Sequence, residues 1–86
     1  MPIGGFVAVL FPDTQAETLQ WLKSLPGVTV HETEVKEKII LVLEADSSRA
    51  VDDMSENIKK HTGIASLDLA YLNMEDEVLK DETRQS

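Results

Sequence analysis

Leu25-Pro26-Gly27-Val28-Thr29-Val30-His31 ends one periodicity and begins another. Before it, Ala16, Leu19, Trp21, Leu22 and Leu25 recur mostly at three- and four-residue spacing, the stripe of a helix packed on one side. Pro26 cannot prolong that helix, and Gly27 suits the turn that follows a helix end. Val28 and Val30 then alternate with Thr29 and His31, the period of a strand with one wet face. The same device returns 36 residues later as His61-Thr62-Gly63-Ile64. It closes a helix carrying Ala50, Val51, Met54 and Ile58 on one face and opens a run, Ile64 to Leu72, in which Leu67, Asp68 and Leu69 alternate.

Outward from these two junctions the remaining elements fall into place. Ile3 to Phe11 is a short apolar run stopped by Pro12-Asp13, and its length suits a buried strand. Gly4-Gly5, near its start, reads as a bend. Thr14 and Glu17 have the spacing of a capping box, which sets the start of the first helix. Ser47 or Ser48 can cap the second. Ile39 to Leu43 is another apolar run, and the charged segment Glu34 to Lys38 before it reads as a hairpin connection without an Asn-Gly pair. The order strand, helix, strand, strand, helix, strand makes a split β-α-β unit with right-handed crossovers. The expected fold is α+β: a ferredoxin-like βαββαβ sandwich, with a four-stranded antiparallel sheet and two helices on one face.

A chain of 86 residues has room for one such domain, expected over residues 1–74, and residues 75–86 read as an acidic mobile tail. The formal charge of −8 would repel phosphate backbones, so nucleic acid is not an expected partner. No cysteine is present, which excludes disulfides and thiolate metal sites. No apolar run is long enough to span a bilayer, and no positive residue precedes the first apolar stretch as it would in a secretory signal. The expected location is the cytoplasm.

Catalytic chemistry has no visible machinery. His31 and His61 lie on different elements without a second ligand at metal spacing, and Asp52-Asp53 occupy adjacent helical positions that face apart. Trp21 reads as packing at the rim of the core. The loop after the first strand, Pro12-Asp13-Thr14, is acidic where an anion-binding catalyst would need cations. We therefore expect a binding module and no cofactor or metal. Phe6 to Phe11 and Ile39 to Leu43 are apolar on both parities, although a strand buried on one face only should alternate. Either the central strands carry exposed aliphatic residues, or something covers the face opposite the helices: a ligand, or a second copy in a homodimer.

Several segments in order resemble the NapD family: Phe6-Val7-Ala8-Val9; Leu25-Pro26-Gly27-Val28 followed by a strand with His31; Ile39-Ile40-Leu41-Val42-Leu43-Glu44-Ala45-Asp46; and Gly63-Ile64 through Leu69-Ala70-Tyr71. The resemblance covers about residues 3 to 75. It departs at Gly4-Gly5, where the family often has Ser or Cys, and at Leu72-Asn73, where it often has His-Gln. What it implies is a cytoplasmic chaperone that binds the twin-arginine signal peptide of a periplasmic nitrate reductase catalytic subunit and delays export until the molybdenum cofactor is inserted. From the family pattern, Val9, Phe11, Glu44, Asp68 and Leu72 are assigned to the open sheet face, with Val7, Val42 and Ala70 beside them. A register slip of one residue would exchange the two faces. The alternative is an ACT-like regulatory domain binding a small molecule on the same strand order.

Overall fold

A computed structural model describes residues 1–73; Met74 and the acidic segment 75–86 lie outside the described residues. Strand β1 (Ile3–Leu10) leads through a 3₁₀ turn (Pro12–Thr14) into α1 (Gln15–Ser24). Then come β2 (Val28–Glu32), β3 (Lys38–Glu44), α2 (Ser48–Lys59) and β4 (Ile64–Asn73). The sheet is four-stranded in the order β2-β3-β1-β4, every neighbouring pair is antiparallel, and both helices pack on one face. This is the ferredoxin-like sandwich expected from the sequence.

The two apolar strands are the central pair, which explains their composition. Even-numbered Phe6, Ala8 and Leu10 of β1 meet odd-numbered Ile39, Leu41 and Leu43 of β3 under the helices. Leu22 of α1, Val51 and Ile58 of α2, and Ile64 and Leu67 complete the core. Burying such a side chain contributes about 1.5–3 kcal/mol, so this face carries most of the apolar stabilisation.

Three local expectations are corrected. Thr14 does not form a capping box: its backbone (φ −119°, ψ 19°) already turns with the 3₁₀ segment led by Pro12, away from the extended geometry an N-cap needs, and its side chain makes no cap hydrogen bond. Its carbonyl instead accepts from Thr18 Oγ1 at 2.9 Å, and Thr18 is fully buried while Ala16 is exposed. Gly4-Gly5 is no bend but part of β1, paired with Leu43 and Val42. Elsewhere Ser47 is the cap of α2, accepting from Ala50 N–H at 3.1 Å. The β2–β3 connection is organised by Thr33, whose Oγ1 accepts from Val35 N–H (3.1 Å) and donates to Lys38 O (2.6 Å). That hydroxyl does the work an Asn-Gly pair would do.

The two glycine junctions serve different ends. Gly27 has φ +78° and its carbonyl accepts from Glu44 N–H at 2.9 Å, which ties the α1–β2 turn to the end of β3. Gly63 has an ordinary φ but lies against α1, where an added Cβ would overlap Thr18 Oγ1 and stand 3.0 Å from Thr18 Cβ. Turning Oγ1 aside would break its bond to Thr14 O, so the overlap is costly to relieve. Gly63→Ala should therefore cost about 1–3 kcal/mol, read as a fall of about 5–20 °C in melting temperature. Thr18→Ala should cost less in the Gly63→Ala background than in the parent. Simple addition of the two losses would show that this contact is not the cause.

Candidate functional site

The face without helices is built by the other parity of each strand. Pairing places Ile3, Gly5, Val7 and Val9 of β1 beside Glu44, Val42, Ile40 and Lys38 of β3. Thr29 and His31 of β2 flank Val42 and Ile40. On the far side of β1, Ser66, Asp68, Tyr71 and Asn73 of β4 stand opposite Val9, Val7, Gly5 and Ile3. Val7, Val9, Ile40 and Val42 are half-buried by one another, forming an aliphatic strip along the middle of the sheet. Cross-strand pairs of this kind contribute a few tenths to about 1 kcal/mol each, yet leave apolar surface facing water.

Charge is unevenly spread over this face. Glu44 and Asp68, both exposed, stand across β1 from each other at the level of Ile3 and Val7, with Tyr71 between those levels. Lys38 lies at the opposite end, beside Val9. The surface is thus an apolar strip with an acidic, aromatic end and a cationic end. Among the described residues, no group of three His, Asp or Glu side chains could hold a metal ion, and no helix is long and apolar enough to cross a membrane.

The site residues expected from sequence divide on this geometry. Val7, Val9, Val42, Glu44 and Asp68 lie together on the open face. Phe11 is exposed but follows the end of β1, where its N–H bonds Gly63 O at 3.1 Å, beyond the paired region. Leu72 requires correction, and Ala70 lies at an irregularity of β4. The register of β4 shifts between Gly5 and Phe6, pairing Gly5 with Tyr71 but Phe6 with Leu69, so Ala70 is a bulge with no partner on β1. Beyond it the parity reverses. Leu72, opposite Gly4, turns to the helix side and lines a cleft with Leu69, Val51 and Ser55.

Ile40 and Tyr71 were missed as members of the open face. Ile40 shares the parity of Val42 and could have been found by counting; Tyr71 is put there by the bulge, which has no sequence signature. Its ring folds down onto Gly5, so that glycine is buried although it belongs to the open face. Away from this face, Trp21 is partly buried at the core rim and stacks on His61 with centroids 4.1 Å apart. His61 Nδ1 accepts from Gly63 N–H at 3.0 Å. That histidine thus serves the α2–β4 junction.

Comparison with known proteins adds the lineage. A family described as NapD protein matches residues 1–76. The solution structure of the E. coli Tat proofreading chaperone protein NapD superposes with a TM-score of 0.73 at 21% identity, covering 98% of this chain and 87% of that one. The comparison with curated proteins returned no match.

Proposed function

The chain belongs to the NapD family, whose members are chaperones rather than enzymes, and from that premise we propose that its open sheet face binds a twin-arginine signal peptide in the cytoplasm. The peptide would be that of a periplasmic nitrate reductase catalytic subunit, held back from export until the molybdenum cofactor is in place. The observation that carries this is the pairing, on one helix-free face, of an aliphatic strip with two exposed carboxylates. An amphipathic helical peptide has the matching parts: an apolar side for the strip, and guanidinium groups for Glu44 and Asp68.

Calorimetric titration with a synthetic peptide carrying two adjacent arginines before an apolar stretch tests the reading. Saturable binding is expected. Raising the salt from 0.05 to 0.5 M should weaken it by about three- to tenfold without abolishing it, because screening reaches the ion pairs but not the apolar contact. Absence of any binding at low salt would sink the proposal. Self-association through the same face, measured by sedimentation at rising protein concentration, would show that a second copy covers the strip instead.

A further inference from the structure

Resting on the peptide reading above, we propose that Tyr71, folded over Gly5, is the platform on which an arginine guanidinium of the bound peptide stacks. Tyr71 stands opposite Gly5 on the open face, and its Cδ1–Cε1 edge occupies the space of the missing side chain: a Cβ at Gly5 would overlap Cε1. Any other residue at position 5 would displace the ring. Glycine within a central strand is unfavourable in itself, through lost packing and extra chain entropy. Here it allows the ring to rest on the sheet while 54% of Tyr71 remains exposed.

An exposed aromatic ring offers a π-face, and its electron density attracts cations within about 6 Å of the centroid, guanidinium above all. The surrounding charges favour the same occupant. Asp68 is the next same-face residue along β4, opposite Val7 as Tyr71 is opposite Gly5, so two residues of β1 separate their levels, about 6–7 Å by strand geometry. A guanidinium over the ring can then donate to the Asp68 carboxylate from its edge. Glu44 lies on the far side of Ile3 at the same end of the face, whereas Lys38 is at the other end beside Val9. The arginine end of the peptide is thereby directed to Tyr71 and its apolar end along Val7, Ile40 and Val9. Tyr71 supplies discrimination between arginine and an uncharged residue of the same shape.

The test uses two synthetic peptides, one with the adjacent arginines and one with citrulline in both places, which keeps the shape and removes the charge. Tyr71→Leu should weaken the arginine peptide by about two- to thirty-fold and the citrulline peptide by less than about twofold, since leucine preserves apolar area; Tyr71→Phe should bind as the parent. Gly5→Ala should reproduce the arginine-selective loss in the parent and add nothing in the Tyr71→Leu background. Equal loss for both peptides in Tyr71→Leu, or no loss for either, overturns the platform while the peptide reading stands. Gly5→Ala binding the arginine peptide as tightly as the parent overturns the seating of the ring. Failure of the parent protein to bind either peptide overturns the peptide reading itself, and the platform with it.

Discussion

Val42→Asp should cost about ten- to fifty-fold in affinity for a twin-arginine peptide while the domain stays folded. Val42 lies on the open face between Gly5 and Thr29, half-buried by its neighbours. Covering a valine is worth up to about 1.5–3 kcal/mol, and a carboxylate in its place must also shed water under the ligand. The choice of aspartate sharpens the result, because an added negative charge should attract the arginines. A net loss must then come from the broken apolar contact and the carboxylate's desolvation beneath the ligand, both of which require the peptide to cover this position. Asp68→Asn, by contrast, removes one exposed ion pair of about 0–1 kcal/mol and should lose about fivefold at most. Calorimetry on both variants decides between an apolar and an ionic site, with circular dichroism to confirm the fold. If Val42→Asp binds as tightly as the parent, the strip is not where the peptide lies.

The second large effect concerns stability. Gly27→Ala forces an L-residue to φ +78°, at about 1–2 kcal/mol, and sets its Cβ 2.6 Å from the backbone carbonyl of Glu44. Main chain cannot rotate out of the way. Adding about 1–3 kcal/mol for that overlap gives roughly 2–5 kcal/mol, which for a domain of this size lowers the melting temperature by about 10–40 °C. Gly27→Asn separates the two causes. Asparagine tolerates the left-handed region but carries the same Cβ, so a melt between that of Gly27→Ala and the parent's is expected. Recovery by asparagine to near the parent's melting temperature would assign the whole effect to φ.

The layout of elements was legible because each boundary has a local chemical cause. Pro26-Gly27 and His61-Thr62-Gly63 end helices, Ser47 caps one, and apolar runs of strand length mark the central pair. Long-range effects were not legible. Thr18 reads as a polar gap in a helical stripe, and nothing local shows that Gly63 will bring β4 against it. The open face was traced correctly where alternation is unbroken, at Val7, Val9, Val42, Glu44 and Asp68. It failed past Ala70, since one unpaired residue reverses every later side chain and leaves no mark in composition.

The position of β1 sets the order in which the site can come into being. β1 is central, with β3 on one side and β4 on the other, and its Ile3 pairs with Asn73 at the far end of the described chain. A contact of such sequence separation closes late and slows folding. Asp68 and Tyr71 belong to β4, so before that strand pairs with β1 the acidic end of the open face holds Glu44 alone, without its second carboxylate or its ring. On the proposed reading, an open face able to hold a peptide exists only once β4 has joined β1 in the sheet.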